Sequence, residues 1–388
     1  MLTAPLLATI LLVASPGATE PATTQTTTRP AVSADLRAEV DTAITRSLKR
    51  LTISQRPDGG WKGFGESSDP AISSLIAKCF VQDPAYGPRH PVVRNALKFV
   101  LASKQDDGGI YGDATVKNYS TSVALMFLAA MNDPALEREI AAQQQYLKQG
   151  QWIEDKTDND DKTITTAHPW YGGVGYGQHK RPDLSNTQMM LEALHQSGLP
   201  STDPVYQRAL VFIARCQMCS ETNDQPFAAK GRDGGFIYTP ANGGESKAGF
   251  ETFGDDQILR SYGSMTYAGF KSMLYAGVDR DDLRVQLAWK WIRSNYTLDA
   301  NPNMPGKQSL EGLYYYLHVF AKALAAWGEP VVVDITGTSH DWRADLCRKL
   351  LAEQKPDGSW LNAADRWMEG NPDLVSAYAI LALQEAVR

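Results

Sequence analysis

Cysteine is scarce: the 388 residues contain four, Cys79, Cys216, Cys219 and Cys347. So few cannot staple a chain of this length, which excludes a disulfide framework as its source of stability. Cys216 and Cys219 form a single Cys-x-x-Cys pair. A second pair is lacking, so a four-thiolate zinc site cannot be built, and Ser220 stands where haem attachment needs a His. The pair reads equally as a local disulfide in an oxidising compartment or as two partly buried thiols at a helix end. Positive charge is short as well. With 38 Lys and Arg against 44 Asp and Glu the formal net charge is -6, which excludes a nucleic-acid coat and a polybasic membrane binder. No apolar run reaches the roughly 20 residues that span a bilayer. Against these shortages stand 43% hydrophobic residues, enough for a large core, and 16 Tyr with 9 Trp. Large flat amphipathic side chains are in demand somewhere in the fold.

Residues 2–15 form a short apolar stretch, densest from Leu6 to Val13, followed by Pro16-Gly17-Ala18. It reads as a signal peptide over residues 1–18, although its start lacks Lys and Arg. Residues 19–34, rich in Thr and Pro, read as a flexible linker. Export to a periplasmic or extracellular location is the expectation, with no transmembrane segment left after cleavage.

The strongest signal is a repeat. Gln55-Arg56-Pro57-Asp58-Gly59-Gly60-Trp61 recurs as Gln105-Asp106-Asp107-Gly108-Gly109-Ile110-Tyr111 and as Gln354-Lys355-Pro356-Asp357-Gly358-Ser359-Trp360. Arg232-Asp233-Gly234-Gly235-Phe236 is a shorter copy and Tyr171-Gly172-Gly173-Val174-Gly175-Tyr176 a degenerate one. Asp-Gly-Gly is turn chemistry, and the aromatic after it anchors the turn on a core. An amphipathic helix precedes each turn, as over 91–104, 204–217, 282–294 and 341–354. A helix apolar nearly all round follows, as over 122–131 and 375–383, and must be buried on every side. Six such inner helices are expected to begin near Asp69, Asn118, Asp183, Ser261, Gly312 and Asp373. The chain from 35 to 388 is therefore expected to be all-α, an α6/α6 toroid of six helical hairpins. An open solenoid would need a polar cap on its last unit, and none is visible.

The Gln, Asp-Gly-Gly/Ser and Trp pattern before a buried helix resembles the QW-type repeat of squalene and hopene cyclases, and the related repeats of protein prenyltransferase β-subunits. The resemblance covers the whole mature chain and implies their toroid, with a ligand in a central cavity lined by inner-helix starts. Their chemistry carries over poorly. The protonating cyclases use Asp-x-Asp-Asp-Thr at an inner-helix start, with the middle Asp as general acid. The matching run here is Asp183-Leu184-Ser185-Asn186-Thr187, with Ser185 in the proton-donor position. A literal Asp158-Asn159-Asp160-Asp161 lies in a polar stretch and reads as a solvated loop. Asp255-Asp256 is too short for a diphosphate-Mg²⁺ site, and the helix expected to carry a zinc-binding Cys has none. The resemblance therefore implies no metal and no cofactor.

Within the expected cavity the richest segments are 253–267 and 312–322. Tyr314, His318 and Lys322 fall at i, i+4 and i+8 on one helix face; Tyr262 and Tyr267 belong to the neighbouring inner helix. Trp367 and Glu369 stand beside the last inner helix. If the ring is catalytic, His318 with Glu369 or Asp256 is the expected centre, converging over the cavity. Tyr262, Tyr267, Tyr314, Lys322, Trp367, Asp183 and Asn186 are the expected ligand contacts. Three functions compete. The first is an exported toroid that binds an apolar, isoprenoid-like molecule, a peptide or a partner protein. The second is a terpenoid-cyclase-type enzyme with a non-standard acid. The third is a carbohydrate-active α6/α6 barrel using paired carboxylates.

Overall fold

Short polar side chains start the helices. Ser33, Asp69, Asp183 and Asp341 each accept a hydrogen bond from a backbone N–H in the first turn of the helix they precede. Proline sits at the first helical position of four of them, where its fixed φ helps and its missing N–H costs nothing (Pro70, Pro91, Pro204, Pro372). The structure is a computed structural model and describes residues 32–63, 65–112, 116–177 and 181–388. The expected signal peptide, and the linker as far as residue 31, lie outside the described residues.

The described residues form twelve α-helices in alternating outer and inner order. The outer ones are α1 (Ala34–Ser54), α3 (Pro91–Ala102), α5 (Glu137–Gln149), α7 (Pro204–Cys216), α9 (Leu283–Ser294) and α11 (Trp342–Glu353). The inner ones are α2 (Pro70–Val81), α4 (Lys117–Ala130), α6 (Leu184–Gln196), α8 (Gly263–Tyr275), α10 (Leu313–Trp327) and α12 (Pro372–Ala386). Each inner helix packs on the next, and α12 returns to pack on α2. The ring is therefore closed. At the seam Gln82 donates to Gln384 at 2.8 Å, Gln384 to the Cys79 carbonyl at 2.9 Å, and Arg50 meets Asp373 at 2.6 Å.

The repeated turn holds the outer helices in place. Gln55 donates one side-chain N–H to the carbonyl of Gly59 in its own turn and the other to Val92, in the first turn of the next outer helix, both at 2.9 Å. Gln217 does the same to Gly234 and Arg284, and Gln151 to Gly172 and Val205. Gln354 donates to Gly358 and to Ala43 of α1, so the last unit is tied to the first. Behind the turn, the backbone N–H of Trp61, Ile110, Val174, Phe236 and Trp360 donates to a Ser or Thr hydroxyl of the following inner helix: Ser73, Thr121, Thr187, Thr266 and Ser376. The indoles of Trp61 and Trp360 are fully buried and donate to the ends of their own outer helices, at Leu51 and Leu350. Burying each such ring contributes about 1.5–3 kcal/mol.

Two small antiparallel hairpins interrupt the helical pattern, β1 (Phe250–Phe253) with β2 (Asp256–Leu259), and β3 (Val331–Val333) with β4 (Ser339–Asp341). The first occupies the stretch before α8 that was expected to feed an inner helix from Ser261. The axis of the ring is not apolar throughout. Its lower half, towards the inner-helix C-termini, is occupied by Lys78, Glu192, Lys271 and Lys322 rather than by apolar side chains alone, all buried. Cys216 and Cys219 are free thiols, both buried. No described helix is long and apolar enough to cross a membrane.

Candidate ligand-binding site

The alternation of outer and inner helices gives every inner helix the same direction, so all six present their N-termini to one end of the ring. A cavity of about 1140 Å³, including its open mouth, lies there. Its wall is built from the first turns of the inner helices and from the loops that feed them. Six tyrosines line it: Tyr119, Tyr176, Tyr238, Tyr262, Tyr315 and Tyr378. Ile72, Met265, Met304 and Leu374 fill the gaps between the rings, and Trp367 and Met368 stand at the rim.

The tyrosines are neutral. Burial pushes the hydroxyls of Tyr119, Tyr238, Tyr262, Tyr315 and Tyr378 well above their ordinary range. Tyr119 and Tyr378 share a hydrogen bond at 2.8 Å, and the Tyr315 hydroxyl meets Ser185 at 3.1 Å and accepts from Gln188 at 3.0 Å. The cavity thus offers π faces and uncharged hydroxyls. Such a wall suits an apolar body, and its faces can stabilise positive charge.

Charged lining groups are Asp69, Lys247 and Glu311. Asp69 caps α2, and burial raises its carboxyl. Lys247 and Arg181 share Glu245, and Glu311 meets Arg366 at 3.1 Å. Asp183 lies just behind the wall. Both its oxygens accept from the Asn186 amide, one also from the Asn186 backbone N–H at 2.8 Å; burial pushes its pKa up to about 6, against the hydrogen bonds from Asn186 and Tyr238. Ser185, the residue that the sequence resemblance aligned with the cyclases' acid, lines the cavity. Its hydroxyl cannot protonate an alkene.

Of the ligand contacts expected from sequence, Tyr262, Trp367 and Asn186 line the cavity. Tyr267 packs against Tyr316 and Phe320 in the core. Tyr314 turns outward, its hydroxyl donating to Glu353 of α11 at 3.0 Å. Lys322 lies in the lower half of α10, below the cavity, 2.6 Å from Glu385. The expected catalytic trio is not brought together. Asp256 sits on the half-exposed β1–β2 hairpin in an ion pair with Lys230. Glu369 is buried at the start of α10, where its carboxylate accepts from the backbone N–H groups of Tyr314 at 3.2 Å and Tyr315 at 2.7 Å, and from Asn362 at 2.7 Å. It caps a neighbour's helix. His318 lies beneath the cavity floor, stacked on Tyr378 with ring centres 5.7 Å apart, and burial pulls its pKa down to about 3. A ring held neutral across physiological pH is a poor proton shuttle.

The residues missed in the sequence are Tyr119, Tyr176, Tyr238, Tyr315, Tyr378 and Asp69. Tyr176 and Tyr238 each stand three residues after a Gly-Gly pair, a second aromatic position of the repeat that was open to notice. Of the run Tyr314-Tyr315-Tyr316, the middle one enters the cavity. The acidic run at 158–161 is a closed turn: Asp158 accepts from the backbone of Asp160 and Lys162, both at 2.9 Å, and lies 3.1 Å from the His168 imidazole. Among the described residues no group of three or more His, Cys, Asp or Glu side chains is placed to hold a metal.

This geometry can be set beside solved structures. A variant of the type II terpene cyclase MstE from Scytonema, bound to geranylgeranyl dihydroxybenzoate, aligns with TM-score 0.55 over 92% of this chain and 99% of its own, at 12% identity. The two share an α/α-toroid fold. A protein from Actinoplanes aligns with the toroid at TM-score 0.52 and 17% identity over 90% of this chain and 100% of its own. A family 76 glycoside hydrolase from a bovine Bacteroides thetaiotaomicron strain aligns at TM-score 0.53 and 11% identity, over 89% of the toroid chain and 77% of its own. No family model matches the sequence, and no curated protein matches it. Identities this low establish a shared fold and leave function to the site.

Proposed function

We propose that the toroid binds an apolar, isoprenoid-like ligand in the tyrosine-walled cavity without protonating it through an Asp-x-Asp-Asp-type acid. The cavity wall carries this reading: six tyrosines and seven aliphatic or thioether side chains surround the space, and Ser185 lines it where the sequence resemblance would put the proton donor. The fold-sharing MstE was solved with geranylgeranyl dihydroxybenzoate bound, which supports a long prenyl chain as the model ligand. Export is part of the same proposal, motivated by the apolar stretch from Leu6 to Val13; mass mapping of the mature N-terminus tests it, and a retained residue 1 would sink it.

Native mass spectrometry of gently purified protein is the test of binding. A co-purifying apolar molecule, or stoichiometric uptake of added geranylgeraniol that Ser185→Trp abolishes, is expected. Failure of both, with the variant folded, contradicts the reading.

Asp69 favours a second reading, a terpenoid-cyclase-type enzyme with a non-standard acid. It is a cavity-lining carboxyl that burial holds towards its protonated form. Turnover of a prenyl substrate that is lost in Asp69→Asn while binding persists would establish that reading. The sugar-processing reading loses its paired carboxylates, because Asp256 lies outside the cavity and Glu369 is used as a cap.

A further inference from the structure

The lower half of the ring axis holds a charged layer that ligand binding at the upper mouth does not use. Lys78, Glu192 and Lys271 are each the ninth residue of their inner helices α2, α6 and α8, and Lys322 is the tenth of α10. Equal depth on a ring of parallel helices brings them to one level at the axis. Glu385 of α12 joins them from one turn below. Their side chains are nearly sealed, with exposures of 0% for Lys271, 1% for Glu192, 6% for Lys322 and 13% for Glu385. Lys78 as a whole is 3% exposed.

The charges do not balance. Lys271 pairs with Glu192 and Lys322 with Glu385, and Glu385 is shared with the half-exposed Arg388 at 3.5 Å. Among the described residues Lys78 has no carboxylate in salt-bridge contact; its ammonium donates to the neutral amide of Gln196. Lys322 is the charge that acts on it most strongly, opposed more weakly by Glu192 and Glu385, and Arg388 adds to Lys322. A buried ammonium without a counter-charge is costly by several kcal/mol. The C-terminal turn of α2, where Lys78 sits, offsets about 0.3–1 kcal/mol of this. A second group nearby is also unanswered. His318 is only 5% exposed, the charges that act on it are Glu192, Lys322, Lys271 and Lys78, and its Nδ1 has no hydrogen-bond partner among the described residues.

We propose that this layer is an anion site, in which a small monovalent inorganic anion such as chloride neutralises Lys78 and accepts a hydrogen bond from His318. The site is separate from the cavity and stands whether or not an apolar ligand binds there. It ties α2 to α10 across the ring, so the anion acts as a bound stabiliser of the closed toroid.

The test is thermal unfolding of the full chain at pH 6, in sodium chloride against sodium gluconate of equal ionic strength. Gluconate is too large for a sealed axial layer. The proposal expects chloride to raise Tm by about 2 °C for each tenfold increase above its dissociation constant, with no such rise in gluconate. Lys78→Met is expected to fold and to lose the difference. At pH 8.5 the difference shrinks, because burial and Lys322 pull the pKa of Lys78 down to about 7 and the ammonium is then discharged. Coinciding chloride and gluconate curves at pH 6, or a full chloride response in Lys78→Met, overturn the proposal. Should that variant not fold, crystals grown in sodium bromide decide: an anomalous peak within hydrogen-bond reach of Lys78 and His318 supports the site, and no peak there refutes it.

Discussion

Gly172 and Gly108 occupy equivalent turns with similar backbone angles, φ 82° and 90°, yet face different surroundings. A Cβ at Gly172 would stand 1.9 Å from the Arg208 carbonyl oxygen, whereas one at Gly108 meets nothing within 4 Å. Gly108→Ala should therefore cost only the left-handed backbone term, about 1–2 kcal/mol, and Gly172→Ala about 2–3 kcal/mol more through overpacking. Chemical denaturation of the two variants checks the order, and equal losses contradict it. Glu369 makes a second prediction. Burial raises its folded pKa from 4.5 to about 7, so the folded state holds the proton more tightly than the unfolded chain. The stability it supplies is present below pH 4.5 and is lost as pH climbs to 7. Relative to Glu369→Gln, the wild-type chain should lose about 3 kcal/mol across that window and then run parallel above pH 8. A difference constant from pH 4.5 to 8 contradicts the assignment.

Whole helices explain what the sequence made legible. Caps, prolines and the recurring turn mark element starts, and the six inner helices begin within a few residues of the positions read from them. Gln151 was not recognised as a copy of the repeat because an insertion, Trp152 to Trp170, separates it from its Gly172 turn. Rotation of the inner helices was hidden for a different reason. A helix buried on all sides has no polar face, so nothing in Tyr314-Tyr315-Tyr316 says which ring points to the axis. The same blindness placed His318 and Lys322 at the mouth, although one lies under the floor and the other deeper still, in the lower half of the ring. Depth along the helix mattered more than shared face. The α6–α8 contact carries a prediction at this scale. Lys271 and Glu192 are both sealed, and the lysines around Glu192 hold its carboxyl well below the usual range although burial alone would raise it. Lys271→Met leaves that carboxylate unpaired and should cost about 3–5 kcal/mol, while Lys271→Met with Glu192→Met should recover most of the loss. A double-mutant cycle by urea unfolding measures it; additive losses would show that the two do not form a pair.

At the scale of the molecule, closure of the ring does two things. It buries the inner helices on every side, and it gathers six helix starts around one enclosed space. The Gln354 bond to Ala43 and the α12–α2 contact make that space continuous across the chain ends. The tyrosines that wall it come from four inner-helix starts and two feeding loops, so no single unit contains the site. Photo-crosslinking with a diazirine analogue of geranylgeraniol, followed by peptide mapping, addresses this most directly. The account predicts labelling in residues 69–72, 262–265, 312–315 and 374–378, competed away by unlabelled geranylgeraniol. Labelling spread over the outer helices, or labelling that excess ligand does not displace, would contradict it.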